Sequence, residues 1–333
     1  MMRQIHARRM IFTLVVAIAL VWAQSALADP SLKDLAARTE VRAIETLTVT
    51  DQQFLTGDKN GKAVTIAGQL QFPQGASGRL PVVILQHGSG GLNAGHELWA
   101  KTFNEMGIVS FLVDSFSGRG LTSTSTNQAL LGRLNMILDA YRGFDVLAAH
   151  PRIDPARIVV MGFSRGGQST LYSSVKRFQQ MWNPRAAFAA YIPLYASCST
   201  TFIGDTDLSA APIRQFHGAA DDYVPVAPCR PYFERLRAAG RDVQLTEYPD
   251  AHHSYDNPLG NKTPTVSKGA QSVRACKLKE EPLGTIINAE TGQPFSYKDP
   301  CVQTDPHTGY NEPAANATRK AVKEFVRTVF KLE

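Results

Sequence analysis

No two cysteines of this chain stand two to four residues apart, no segment repeats, and the excess of positive charge is small. Each absence removes a class of function. Zinc modules usually present cysteines at that short spacing, and Cys198, Cys229, Cys276 and Cys301 do not, so no metal site is expected. The formal net charge is +6. Residues 1–28 hold Arg3, Arg8 and Arg9 and no acid, which leaves the remainder with half that excess, too little to argue for a nucleic-acid partner.

What the N-terminus does have is a basic start, "MMRQIHARRM", an apolar run, "IFTLVVAIALVWA", and small residues in "SALA". That order predicts a signal peptide cleaved after Ala28 and a periplasmic or secreted protein with no stable membrane insertion. An uncleaved anchor is the alternative, since the uncharged run reaches the lower edge of spanning length, and the Arg8–Arg9 pair leaves twin-arginine export as a lesser one. All four cysteines lie beyond the leader, where an oxidising compartment lets them pair. Cys276 and Cys301 bracket one irregular segment, and Cys198 and Cys229 each follow an expected strand, so the pairs 198–229 and 276–301 are predicted.

Residues 29–333 read as one α/β domain. Strands are expected at "AIETLTVT", "VTIAGQLQF", "PVVILQH", "IVSFLVD", "RIVVMG", "AAYIPLY", "PIRQFHG" and "DVQLTEY". Helical patterns alternate with them, the mark of a mostly parallel sheet, here of eight strands, with helices on both faces. The third to fifth runs are almost wholly apolar and should form the centre. Helices fit "HELWAKTFNEMG", "NQALLGRLNMILDAYRGFDVLAA", "RGGQSTLYSSVKRF", "CRPYFERLRAAG" and "NATRKAVKEFVRTVF". The last carries a stripe of Ala321, Val322, Phe325, Val326, Val329 and Phe330 at helical spacing. From about 257 to 313 periodicity fails, and a loop that long is usually functional or disordered. A bridge between Cys276 and Cys301 would make it an ordered insertion, and a lid over the pocket is one reading of it.

The stretch "GFSRGG", residues 162–167, follows an apolar strand and precedes a helix. In a G-x-S-x-G turn small residues relieve crowding around a strained serine, here Ser164, and its hydroxyl stands above the sheet beside a helix N-terminus. A serine hydroxyl near neutral pH needs a base and an acid to orient that base. "HGAADDYVP" supplies Asp221 and Asp222 after one strand, and "YPDAHHSYD" supplies His252 and His253 after the next. One strand–helix unit separates successive candidates, which brings all three to one edge of the sheet. For the oxyanion hole the backbone N–H of Arg165 is expected, with that of Ser89 in "LQHGSGG", or of neighbouring Gly90, as the second donor. His87 is expected to support that loop. Arg119 in "DSFSGRG" is given two roles: meeting a substrate carboxylate, or pinning its own loop. Asp114 should stabilise a turn, and Trp99, Trp182, Tyr191, Tyr195, Tyr223 and Tyr255 are candidates for pocket wall or core.

Together "VVILQHGSGG", "VDSFSGRG", "RIDPARIVVMGFSRGG", "HGAADDYVP" and "YPDAHHSYD" resemble the dienelactone hydrolase family of α/β-hydrolases over roughly residues 80–257. The resemblance implies Ser164, Asp221 and His253 as the triad, in an α/β-hydrolase fold. The family's eponymous enzyme carries a cysteine nucleophile where this chain has Ser164. The resulting expectation is a serine hydrolase of small-molecule carboxylic esters, working without metal or organic cofactor. Two alternatives remain: a peptidase of prolyl-peptidase type, although the chain is too short for a separate propeller domain, and a non-catalytic binding protein on a hydrolase scaffold.

Overall fold

The computed structural model describes residues 38–332. The expected signal peptide and its cleavage at Ala28 lie outside them. Among the described residues no helix is long and apolar enough to cross a membrane.

Eight strands form the main sheet: β1 (Thr39–Thr48), β2 (Lys62–Gln71), β3 (Leu80–Gln86), β4 (Val109–Asp114), β5 (Ile153–Phe163), β6 (Ala190–Leu194), β8 (Ile213–Gly218) and β9 (Val243–Tyr248), with a two-residue strand β7 (Thr200–Thr201) outside it. Their order is β1-β2-β4-β3-β5-β6-β8-β9. The β1–β2 and β2–β4 pairs are antiparallel and all the others parallel.

The apolar runs β4, β3 and β5 occupy the middle because they are covered on both sides. Successive side chains of β3 point to opposite faces, so Val82 and Ile84 enter one core cluster while Val83 and Leu85 enter the other. Each such buried side chain contributes roughly 1.5–3 kcal/mol. Gln86, at the end of β3, is also fully buried, and its amide is satisfied by donating to the Met136 carbonyl and accepting from the Thr170 hydroxyl.

Helices α1 (Asp51–Thr56), α3 (Asn135–Ala148), α4 (Arg165–Tyr172), α5 (Lys176–Trp182) and α6 (Cys229–Ala238) contribute to the first cluster. Helices α2 (Ala94–Asn104) and α7 (Glu312–Phe330) contribute to the second. In α7, Val322, Val326 and Phe330 are buried and Ala321, Phe325 and Val329 partly so, which makes the stripe the contact surface.

Two expected helices are broken, and in both cases side chains compete with the helical ladder. The first opens as a 3-10 turn at Gln128–Leu130, and α3 starts only at Asn135. There the Asn135 amide clamps the Val49 backbone and the Gly132 carbonyl. In the second, the Ser173 and Ser174 hydroxyls bond back to the Thr170 and Leu171 carbonyls and separate α4 from α5. Helix α1 was not expected, although Thr50 and Gln53 form a reciprocal capping box at its start.

The segment from 257 to 311 is irregular but built. It contains β10 (Thr265–Val266), β11 (Leu278–Glu281), β12 (Thr285–Asn288) and β13 (His307–Thr308). Strand β11 pairs with β12 and with β7, and β10 pairs with β13. The Cys276–Cys301 disulfide closes it, and Cys198–Cys229 ties β7's loop to the start of α6.

Candidate active site

At the end of β5 the chain turns sharply into α4, and Ser164 sits at the apex with φ 56° and ψ −112°. This is a backbone conformation that a side-chain-bearing residue rarely holds, and it persists only where the surroundings impose it. They do so by close approach. A Cβ on Gly162 would lie 2.1 Å from the Gly166 carbonyl oxygen, and one on Gly166 would lie 2.3 Å from that of Gln86. The Ser164 N–H donates to the Leu194 carbonyl at 3.0 Å, anchoring the apex to β6.

His253 lies in the loop after β9. Its Nε2 is 2.9 Å from Ser164 Oγ and its Nδ1 is 2.7 Å from Asp221 Oδ2. With the Nδ1 proton directed at the carboxylate, Nε2 is left to accept from the serine hydroxyl. The rings of Tyr195 and Tyr223 flank the imidazole, each with its centroid 4.7 Å away. Asp221 stands in the turn after β8, where its Oδ1 accepts from the Tyr223 and Val224 N–H groups. Burial alone would raise its pKa, but the His253 and His217 imidazoles outweigh burial and hold the carboxyl well below the usual range.

Within each doublet the two members part. Asp222 turns outward and takes the His307 N–H and imidazole at 2.8 Å each, with Arg274 alongside at 3.5 Å. His252 leaves the serine to its neighbour, its buried Nδ1 unpartnered and its ring 6.2 Å from that of His307. The insertion also reaches His253 directly, since the Gly309 N–H donates to the His253 carbonyl at 3.1 Å.

The backbone N–H groups of Ser89 and Arg165 have no acceptor among the described residues, and both residues border Ser164. The Ser89 hydroxyl is held by Gln128 and its carbonyl by Thr124 and Ser123. His87 bonds the Gly88 carbonyl and the Ser115 N–H, while burial lowers its pKa. Asp114 accepts from the Phe116 and Ser117 N–H groups.

Arg119 requires a correction. Of its two readings the substrate-facing one fails: the guanidinium is buried against Asp139 in a two-point ion pair, at 2.7 and 2.8 Å, and lines neither pocket beside Ser164. Breaking such a buried pair costs about 3–5 kcal/mol, so the residue serves the fold.

Two cavities open on Ser164, and Ser89 and Tyr223 border both. The wider, about 210 Å³, is walled by His96, Phe163, Tyr195, His253, Asp256 and Ala270. Asp256 is a buried carboxyl whose pKa burial raises, held by the Trp99 indole at 2.7 Å and the Tyr195 hydroxyl at 2.9 Å. The narrower, about 50 Å³, is walled by Arg133, Arg165, Gln168, Ser197, Tyr223 and Tyr297. Trp182, Tyr191 and Tyr255 are core residues. Among the described residues no three His, Cys, Asp or Glu side chains are grouped as metal ligands.

Sequence reasoning missed Arg133, Gln168 and Asp256. For Arg133 a signal existed, because it is the lone charge in "ALLGRLNMIL".

The model of the dienelactone hydrolase family matches residues 66–330. The chain belongs to that family. A family relative from Methylorubrum extorquens, named "Putative carboxymethylenebutenolidase", is 25% identical over 267 residues, covering 68% of this chain and 88% of its own. An Arabidopsis thaliana protein, "Probable carboxylesterase SOBER1-like", is 30% identical over 105 residues, 32% of this chain and 39% of its own. Among solved structures, the dienelactone hydrolase-like promiscuous phosphotriesterase P91 from metagenomic libraries superposes with a TM-score of 0.58 at 19% identity, over 88% of this chain and 99% of that one. The α/β-hydrolase fold follows from this match and from the strand order above.

Proposed function

We propose that the chain is an exported hydrolase of carboxylic esters that works through an acyl-enzyme on Ser164. The observation that carries this reading is the continuous pair of contacts from Asp221 through His253 to Ser164, at 2.7 and 2.9 Å. His253 Nε2 takes the hydroxyl proton as Ser164 Oγ attacks the ester carbonyl. The Ser89 and Arg165 N–H groups face the developing oxyanion, and the N-terminal end of α4 favours that charge. The C–O bond then breaks, and the leaving alkoxide takes the proton from the imidazolium. A water, deprotonated by the same nitrogen, releases the acid and restores the serine. Asp221 holds the imidazole in the required tautomer and stabilises its charged form. The two disulfides fit an oxidising compartment, which supports export.

Labelling by a fluorophosphonate probe, read by peptide mapping, tests the nucleophile. The expected result is one adduct on Ser164 and no ester turnover in Ser164→Ala. Turnover unchanged in that variant would overturn the assignment. An absence of label together with no hydrolysis of short p-nitrophenyl esters would favour a binding protein. Comparison of those esters with the matching anilides separates an esterase from a peptidase. N-terminal sequencing of the exported protein checks cleavage after Ala28.

A further inference from the structure

The first turn of helix α2 sets an unanswered hydrogen-bond donor on the wall of the wider cavity. Asn93 caps that helix: its side chain accepts from the Gly95 N–H at 2.9 Å, and its backbone N–H donates to His96 Nδ1 at 3.1 Å. The Asn93 carbonyl lies 3.3 Å from the same nitrogen but already accepts from the His96 N–H at 3.0 Å. A backbone N–H can only donate, so Nδ1 is the lone-pair nitrogen and the ring proton sits on Nε2. Burial lowers the pKa of this imidazole to about 4, which keeps it uncharged near neutral pH. Edge-to-face packing on Phe163, with ring centroids 4.8 Å apart, holds the ring in place.

His96 is 5% exposed and borders the wider cavity. Nothing among the described residues accepts from its Nε2. Nor is that atom sealed in: the partnerless polar atoms closed off in the interior include Nδ1 of His252 but no atom of His96, so Nε2 is reached from the cavity. Asp256 supplies the one carboxyl on this wall among the described residues, and it is engaged by the Trp99 indole and the Tyr195 hydroxyl. A donor so placed is answered by water until a ligand enters. A ligand that displaces the water without offering an acceptor leaves the N–H bare, which is the costly arrangement for a buried polar group.

The position of His253 decides which half of a substrate meets this donor. The imidazole must protonate the leaving oxygen, so the alcohol portion lies on its side of Ser164. His253 borders the wider cavity and not the narrower one. His96 therefore faces the alcohol, and the acyl portion is left the narrower cavity of about 50 Å³, which suits a short chain.

Resting on the catalytic reading above, we infer that His96 is a specificity-determining residue whose Nε2 N–H binds an oxygen of the alcohol portion, and that the preferred substrates are short-chain esters of oxygenated alcohols such as glycol ethers and polyols. The alcohol oxygen takes the place of the displaced water, so the donor stays paired when the site fills. An alkyl alcohol of the same length strips the water and returns no acceptor. His96 makes no bond to the reacting atoms; it selects which alcohol is held beside His253.

The test compares kcat/KM within isosteric pairs. On the alcohol side these are 2-methoxyethyl acetate with butyl acetate and 3-methoxypropyl acetate with pentyl acetate; on the acyl side, ethyl 3-methoxypropanoate with ethyl pentanoate. Each value is divided by the rate of alkaline hydrolysis of the same ester, which removes intrinsic differences in reactivity. An N–H left unpaired by the alkyl member predicts a preference of about 5- to 50-fold for the ether ester in at least one alcohol-side pair, and none in the acyl-side pair. That preference should vanish in His96→Phe, which keeps an aromatic ring against Phe163, and be partly kept in His96→Gln, whose amide can accept from the Asn93 N–H and still donate. The ratio is blind to a general loss of folded enzyme, so a purely structural role for His96 would leave it unmoved. Ratios near one in both alcohol-side pairs, a preference on the acyl side instead, or a preference that survives His96→Phe would overturn the inference. If alkyl esters turn over through Ser164 while the ratios stay near one, catalysis stands and only the role of His96 falls. If no ester turns over, or if Ser164→Ala is as active, both readings fail.

Discussion

The sheet and the insertion solve the problem of order in opposite ways. Along the sheet, Val83, Val159 and their neighbours are fully buried, and apolar packing places the strand ends that carry Ser164, Asp221 and His253. Between 257 and 311 few large apolar side chains are buried, and the path is set by a disulfide, two-residue strand pairs and polar ties to Asp222 and His253. The first region assembles the candidate chemistry; the second furnishes walls, with Gln271, Ser272, Val273 and Tyr297 closing the narrower cavity. The lesson is that the candidate triad and the walls around it rest on separately stabilised parts of the fold, so perturbations of each should have distinguishable signatures.

The largest effect is expected on the sheet side. Asp221→Asn should lower kcat by about 10⁴ with KM little changed, because the imidazole would be held in the wrong tautomer; steady-state kinetics on a neutral ester checks this. A loss below tenfold would detach Asp221 from catalysis. On the insertion side, Cys276→Ser with Cys301→Ser should remove about 2–4 kcal/mol of stability, measured by denaturant unfolding. It should also raise KM for small neutral esters more than it lowers kcat, because the insertion walls the cavity and the sheet carries the triad. Equal damage to both would abolish the proposed separation.

A smaller effect tests the wider cavity, where burial lowers the His96 pKa to about 4. Between that value and the unfolded one near 6.5, only the unfolded chain takes the proton, so stability is full above that window and falls as pH drops through it. The difference from pH 7 to pH 5 is roughly 2 kcal/mol. In His96→Gln the fall in melting temperature over that range should be shallower, as calorimetry would read. The smallest effect is expected from Asp222→Asn, which loosens the tie to His307. Both partners are partly exposed, so a rise in KM of under about tenfold with a near-constant kcat is predicted. A fall in kcat as large as that of Asp221→Asn would mean that the two aspartates act as one unit.

The same division explains what could be read from the sequence. The central strands β3, β4 and β5 announced themselves through apolar runs, because a strand covered on both sides leaves little room for other residues, whereas the half-exposed outer strands β1, β2 and β9 showed only as short β-rich runs. The elbow at Ser164 was legible because backbone contacts near 2 Å admit only glycine at 162 and 166. The broken helices were not legible, because Asn135, Ser173 and Ser174 act through side-chain bonds to distant or preceding carbonyls that periodicity does not register. Arg119 looked available because its loop sits at a strand end, and its partner Asp139 lies on a helix whose packing only the folded chain reveals. The narrower cavity is farther still from a linear reading, since its walls come from α4, the 128–134 turn, the 223 loop and the insertion.

The disulfide of the insertion also marks where the molecule can be retailored. Phe295 and Tyr297, which hold Arg133, lie inside the Cys276–Cys301 loop, whereas His307, Thr308 and Gly309, which brace the aspartate turn and the histidine loop, lie beyond it. Exchanging residues 277–300 as a cassette would thus replace one wall of the narrow cavity while leaving the supports of the aspartate turn and the histidine loop in place.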